Sequence, residues 1–268
     1  MPEGPEAKIM SDYLNTFFLN NPIVKVESLN EYFEKKYQDV LKNLKQYLIG
    51  KTIISFTVGK NTFINLNKNL YYRYHLGMTG SWIKSYRKHC HFKISSSNSD
   101  LYFLDIRKFG KHNIINQQDI KEHYKSEFDM LNKNYNYILH LKHLKSKIKS
   151  NKNICTVLMD QKKFPGIGNY IKSEVLFASK IHPDTNWGQL KETDIQNILL
   201  NAKKIMEKSY VDGGAELKDF KNPLYNSIFE LSVYGKENDP YGNKISKKKT
   251  KDQRRTWWSP SVQKLKVL

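Results

Sequence analysis

Apolar positions near the start of the chain recur at helical spacing. Ile9, Tyr13, Leu14, Phe17 and Phe18 fall on one face of a helix from about residue 2 to about residue 20. A second, short helix is predicted around Tyr37–Leu48. From Thr52 the period shortens to that of strands, through Thr52–Val58, Thr62–Leu66, Leu70–Leu76, His91–Ile94 and Leu101–Leu104. Turn residues stand between them at Gly59-Lys60-Asn61, Asn67-Lys68-Asn69 and Ser95–Asp100. Short strands at such intervals predict a β-sandwich or barrel. Beyond about residue 115 the helical period returns. Asn153–Gln161 and Asn169–Ser179 read as two helices joined by the turn Phe164-Pro165-Gly166-Ile167-Gly168, and Glu192–Tyr210 reads as another. Residues 133–150, rich in Lys and Asn, read as a linker. The tail regains strand character at Ser232–Tyr234 and Arg255–Trp258, with a turn through Asp239-Pro240-Tyr241-Gly242. The predicted class is α+β: an N-terminal helix and β-sandwich over 1–132, the linker at 133–150, a helical domain over 151–230 and a hairpin tail over 231–268.

Charge narrows the choice of partner. The 268 residues carry 45 Lys+Arg against 26 Asp+Glu, a formal +19. Such an excess favours a polyanion, nucleic acid first, because neutralising phosphates releases counterions. A coding bias toward lysine would give the same excess without such a partner. Only five of the basic residues are arginines: Arg73, Arg87, Arg107, Arg254 and Arg255. In so lysine-rich a chain an arginine is kept for its planar fork, which lysine cannot replace. No lipidation motif or basic amphipathic stripe speaks for a membrane, and no apolar run is long enough to span one. Cys90 and Cys155 lie far apart and form neither a disulfide framework nor a zinc motif, so a reducing, intracellular compartment is expected.

Several stretches carry candidate chemistry. In Met1-Pro2-Glu3-Gly4-Pro5-Glu6, removal of Met1 leaves Pro2 as a secondary amine beside two carboxylates. An amine attacks an electron-poor carbon to give an iminium, and an α-amine, with a reference pKa of about 8, needs no burial to be partly neutral at pH 7. The alternative is an unstructured start. Gly166-Ile167-Gly168-Asn169 offers a phosphate close backbone approach and a helix N-terminus, or else a routine capped connection. Lys60, on the tight turn Val58-Gly59-Lys60-Asn61, projects into a cleft or is one surface lysine among many. His75-Leu76-Gly77-Met78-Thr79-Gly80 and Arg107-Lys108-Phe109-Gly110 supply what base flipping needs: an arginine for the orphaned base and an apolar wedge from Met78 or Phe109, core packing being the alternative. Arg254 and Arg255, ahead of Trp257-Trp258, suit a bidentate phosphate grip or a solvated tail. His89-Cys90-His91 has no evident third ligand, and no metal is expected there.

In order and spacing these stretches resemble the formamidopyrimidine-DNA glycosylase / endonuclease VIII (Fpg/Nei) family, from residue 2 to residue 263. Pro2–Glu6 matches its Pro-Glu-Gly-Pro-Glu start, and His75–Gly80 its His-Leu-Gly-Met-(Ser/Thr)-Gly segment. Val58-Gly59-Lys60 resembles its Arg-Gly-Lys turn, with Val for Arg. Asp105–Gly110 resembles its Asp-Pro-Arg-Arg-Phe-Gly loop, and Phe164–Phe177 its helix–two-turn–helix. The family ends in a four-cysteine zinc finger whose hairpin tip carries a catalytic arginine. Here Tyr241 falls near the first ligand pair, and Ser259 and Val262 stand where the second would be. The tail resembles the zincless finger of some endonuclease VIII-like enzymes. Aligning Ser259-Pro260 with the family's Cys-Pro places the finger arginine at Arg254, with Arg255 as the alternative.

The resemblance implies a bifunctional DNA glycosylase and AP lyase of base excision repair, a monomer that needs no cofactor. Its partner would be damaged DNA, double-stranded or single-stranded. Pro2, Glu3, Lys60 and Arg254 would be catalytic. Glu6, Gly168, Asn169, Lys172 and Arg255 would contact the DNA, with Glu6 holding the sugar or the catalytic helix in place, and Met78, Arg107 and Phe109 would fill the void. Oxidised pyrimidines and hydantoins are the expected lesions, with a pocket-lining loop near residues 212–222. Two rivals stay open. A damage sensor on the same scaffold would lack turnover, but Pro2, Glu3 and Lys60 are intact. A basic RNA- or ribosome-associated protein using the helix–two-turn–helix alone leaves the N-terminal motif without a purpose.

Overall fold

The computed structural model describes residues 2–216 and 220–265. Two compact units emerge, Met1–Tyr124 with Gly213–Ser227, and Lys125–Asp212 with Ile228–Leu268. The first opens with helix α1 (Gly4–Phe18), whose Ile9, Met10, Tyr13, Leu14 and Phe18 are buried as the spacing predicts. Pro5 sits in the first turn, where a missing N–H breaks no helical hydrogen bond. Then come β1 (Ile23–Ser28), α2 (Glu31–Lys36) and α3 (Gln38–Leu48). Seven strands follow: β2 (Ser55–Val58), β3 (Asn61–Asn65), β4 (Leu70–His75), β5 (Gly80–Ile83), β6 (Cys90–Ser96), β7 (Asp100–Asp105) and β8 (Lys111–Asn116). With β1 they make two antiparallel four-stranded sheets, ordered β1-β6-β7-β5 and β2-β3-β4-β8.

Aromatic side chains join the two sheets. Tyr74 lies 6.1 Å from Trp82 and 5.9 Å from Phe103 of the other sheet, and the Trp82 indole N–H donates to the Tyr74 hydroxyl at 3.0 Å. A buried indole needs such an acceptor. The sandwich stands as expected, but three of its strands were not foreseen. β5 is only four residues long, and β8 turns a histidine, His112, inward where an aliphatic residue would have marked the period. His112 is held by the Tyr72 hydroxyl at 2.6 Å, and burial first, then nearby cationic groups, pushes its pKa down to about 3.

After α4 (Gln117–His123), the second unit supplies α5 (Tyr137–Lys147), α6 (Ile154–Met159), α7 (Asn169–Ala178), α8 (Glu192–Val211) and an antiparallel hairpin of β9 (Ser246–Lys249) and β10 (Arg255–Trp258). Three expectations change here. The stretch 133–150, read as a linker, carries α5, capped by the Asn136 side chain, which accepts from Leu139 N at 3.0 Å. Its buried residues are His140 and Leu144, so the helical period is hidden among lysines. Residues 213–227, read as part of the helical domain, belong to the first unit. Ser232–Tyr234, expected as a strand, is a turn whose three N–H groups donate to the Glu174 carboxylate at 2.8, 2.9 and 2.8 Å.

Candidate functional site

In the first unit the site begins at the N-terminus. Pro2, Glu3 and Glu6 are all buried, and Met1 lies outside the described residues. Glu6 accepts the Glu3 N–H through Oε2 at 2.7 Å and the Ala215 N–H through Oε1 at 2.8 Å. One carboxylate thus ties the start of α1 to the segment at 213–216. Glu6 was expected to hold the sugar or the catalytic helix, and its two oxygens accept these backbone N–H groups. Gly214, at φ +85°, permits this approach, since a Cβ there would sit 3.2 Å from the Glu6 side chain. The expected pocket-lining loop at 212–222 includes residues 217–219, which lie outside the described residues.

Lys60 lies on the two-residue turn between β2 and β3, closed by the Val58–Asn61 pair, with Gly59 at φ +60°. It is only 9% exposed. Across the sheet His75 pairs with Asn61; burial foremost, with the charges of Lys60, Arg73 and Lys111, lowers the His75 pKa to about 4. Its ring is therefore neutral at pH 7, and Nδ1 accepts the Gly77 N–H at 2.9 Å.

The two motif loops are fastened together by Asp105. Its carboxylate takes the Thr79 hydroxyl at 2.5 Å and the Gly110 N–H at 2.7 Å, while Thr79 Oγ1 accepts the Arg107 N–H at 3.0 Å. Met78 is half-buried on this turn. Arg107 and Phe109 stand out from it: Phe109 is 50% exposed, with the Arg107 guanidinium 4.8 Å from its ring centroid. Phe109 is thus not a core residue.

In the second unit, Gly166 takes φ +91° in the connection into α7, and Gly168 is the N-cap. Asn169 opens α7 and donates Nδ2–H to the Arg255 carbonyl at 3.0 Å. Arg254 and Arg255 are both exposed, Arg254 on the β9–β10 turn and Arg255 at the first position of β10. Lys172, expected to contact the DNA, is fully buried and pairs with Asp252 at 2.6 Å, which removes it from any DNA surface. The apolar patch beneath the hairpin is Phe177, Val233 and Ile245, with Trp257 and Val262 packed on it.

Known proteins match this architecture along its length. The formamidopyrimidine-DNA glycosylase N-terminal domain matches residues 1–112, the H2TH domain 131–221 and the C-terminal domain 221–264. The formamidopyrimidine-DNA glycosylase of Ureaplasma parvum is 30% identical over 280 aligned residues, covering 98% of this chain and 100% of that protein. The chain belongs to the formamidopyrimidine-DNA glycosylase family. The Zymomonas mobilis member is 29% identical over 253 residues, 89% of this chain and 90% of its own. Among solved structures, the Lactococcus lactis Fpg in complex with DNA containing an abasic site superposes with a TM-score of 0.82 at 26% identity, covering 98% of this chain and 99% of that one. MutM in complex with DNA containing carbocyclic 8-oxo-G gives 0.83 at 26%, covering 98% and 100%.

The zinc of the family's finger does not fit this member. Tyr241, Ser259 and Val262 of the tail offer neither thiolate nor imidazole, and among the described residues no group of three or more His, Cys, Asp or Glu could hold a metal. A carboxylate organises the site instead. Asp239 accepts from Ser259 Oγ at 2.7 Å, Tyr241 N at 2.9 Å, Asn243 N at 2.9 Å and Asn243 Nδ2 at 3.1 Å. Gln263 completes it, taking the Ser259 N–H and donating to Ile181 O, each at 2.8 Å. Burial works against the Asp239 charge, yet the hydrogen bonds from Ser259 and Asn243 outweigh it and hold the carboxyl below its ordinary value. Glu174, Asp239 and Asp252 were not singled out in the sequence. Their signal was there: a carboxylate in an apolar helix or a lysine-rich tail must find donors once buried.

Proposed function

We propose that this chain is a bifunctional DNA glycosylase and AP lyase that excises oxidised bases. The observation that carries the reading is Pro2 beside the buried carboxylates of Glu3 and Glu6 at the head of α1. With Met1 removed, the Pro2 amine attacks C1′ of a flipped-out nucleotide, an atom unreachable within the stack. Glu3 protonates the sugar ring oxygen or relays protons, and the base leaves. The iminium acidifies the adjacent sugar protons, so β- and then δ-elimination cuts the strand. Glu6 holds the catalytic helix. Lys60, Asn169 and Arg254 grip phosphates, Arg255 and the Gly168 backbone support them, and Met78, Arg107 and Phe109 fill the space the base leaves. The protein acts as a monomer on double-stranded or single-stranded DNA.

The cysteine-free finger, like that of endonuclease VIII-like enzymes, favours oxidised pyrimidines and hydantoins. The structural neighbours favour a second reading, since they hold DNA containing carbocyclic 8-oxo-G or Fapy-dG. Borohydride trapping tests both. Oligonucleotides with an abasic site, thymine glycol or 8-oxoguanine are offered to the protein and to its Pro2→Gly variant. The expected result is a covalent adduct that needs Pro2 and forms faster on thymine glycol. No adduct from protein shown to lack Met1 overturns the lyase assignment, and preference for 8-oxoguanine selects the second lesion class.

A further inference from the structure

Lys172 is a buried cation with an unusual task. It lies within α7 at 0% exposure, and Asp252, its partner at 2.6 Å, is 4% exposed. Removing two charges from water is costly, and apolar residues of similar volume often serve stability as well or better. Stability alone therefore does not account for the pair.

The far side of Asp252 does. This residue sits in the β9–β10 turn that carries Arg254. Its Oδ1 accepts from Thr250 Oγ1 at 2.5 Å and from Arg254 N at 3.4 Å. Thr250 N donates to Arg254 O at 3.0 Å, Gln253 N to Thr250 O at 2.9 Å, and Gln253 takes φ +62° to let the chain turn back. Thr250 Oγ1 also lies 2.7 Å from Thr256 Oγ1. α7 thus reaches the hairpin at two points one turn apart, Asn169 at the Arg255 carbonyl and Lys172 at Asp252.

We propose that Lys172 is a positioning residue that, through its buried pair with Asp252, fixes the turn that aims Arg254. The fastening is read from geometry alone; only the task of Arg254 rests on the function proposed above.

The test uses the full chain with Lys172→Met/Asp252→Leu, which removes both charges and the turn's acceptor but keeps the volume. Thr250→Val is the second variant, because it leaves the ion pair intact and removes one hydroxyl. Hydrogen exchange is the first readout. Amides of Thr250, Gln253 and Arg254 are expected to exchange at least tenfold faster in the double variant and about threefold faster in Thr250→Val, with α7 and α8 unchanged. Turn amides within twofold of the wild type in both variants would overturn the proposal. Cleavage of abasic-site DNA is the second readout: kcat should fall at least tenfold with KM within threefold. A double variant with wild-type kcat would show the pair to be merely structural and would also overturn it. Wild-type protein that cuts no lesion refutes the function reading, while the exchange result still decides whether the pair holds the turn.

Discussion

Replacing Gly77 with alanine should separate the loops of Met78 and of Arg107–Phe109 from the rest of the site. Gly77 holds φ +64°, and a Cβ there would meet the Phe109 carbonyl carbon at 2.6 Å and the Gly110 nitrogen at 2.8 Å. Both are backbone atoms, so no side chain can swing aside. To reach ordinary contact at 3.4 Å or more, the 106–110 loop must retreat by about 1 Å. That movement would open the 2.7 Å bond from Gly110 N to Asp105 past hydrogen-bonding range. The left-handed conformation costs alanine about 1–2 kcal/mol. Losing a hydrogen bond to a buried carboxylate adds roughly 1.5–3 kcal/mol. The larger effect is on function, because a displacement of about 1 Å in a positioned group can cost about 10²-fold in rate. The assay is cleavage of one lesion in duplex and in single-stranded DNA. Under the proposed function, Arg107 and Phe109 have an orphaned base to meet only in the duplex. The variant should therefore lose about 10²-fold on duplex and only a few-fold on the single strand. An unchanged duplex-to-single-strand ratio would refute the link between this turn and the void.

Asp239→Ala strips the acceptor from the Ser259 hydroxyl and two backbone N–H groups, and each donor left unsatisfied costs about 1–3 kcal/mol. The hairpin of the variant should lose amide protection, whereas a zinc chelator should leave the wild type's melting temperature and activity unchanged; loss of either on chelation would contradict the carboxylate-centred finger. Acid should act on the histidines. The pKa of His112 is pushed down to about 3 and that of His140 to about 4, burial being the main cause for both, against an ordinary 6.5. The unfolded chain then binds protons first, so their contribution is complete above about pH 6.5 and drains away as pH falls toward 4 and then 3, amounting at most to about 5 kcal/mol for His112. The melting temperature should already fall between pH 6.5 and 5, above the range where carboxylates titrate, and a flat profile there would count against these neutral imidazoles.

What the sequence made legible follows from the range of the interactions. The face of α1 and the strands of Tyr72, Tyr74, Phe92 and Phe103 declare themselves by local period, because each repeats one burial direction. The turns at Gly59 and Gly77 are legible because only glycine readily takes their backbone angles. Arg255–Trp258 emerged as a strand for its aromatic, β-favouring residues, whereas its partner Ser246–Lys249 did not, since three lysines on an exposed strand carry no apolar alternation. Ser232–Tyr234 misled because its β-favouring residues serve a carboxylate 58 residues earlier in the chain. Lys172 misled for the same reason: a cation beside a glycine-rich turn suggests a DNA contact until its partner, 80 residues away, is known. Pairings between distant polar groups leave no periodic trace.

The way the hairpin is closed has a consequence for its resistance to oxidation. Peroxide attacks thiolates, and a finger closed by cysteines would offer it four. Here the hairpin is closed by the carboxylate of Asp239, the hydroxyl of Ser259 and the amides of Asn243 and Gln263, none of which is readily oxidised. The two cysteines of the chain are buried, Cys155 against Thr250 and Thr256 of the hairpin; burial raises the Cys90 thiol and pushes Cys155 up to about 12, so both stay protonated at neutral pH. The hairpin's hold on its arginines thus has no thiolate to lose in the same oxidising burst that damages bases.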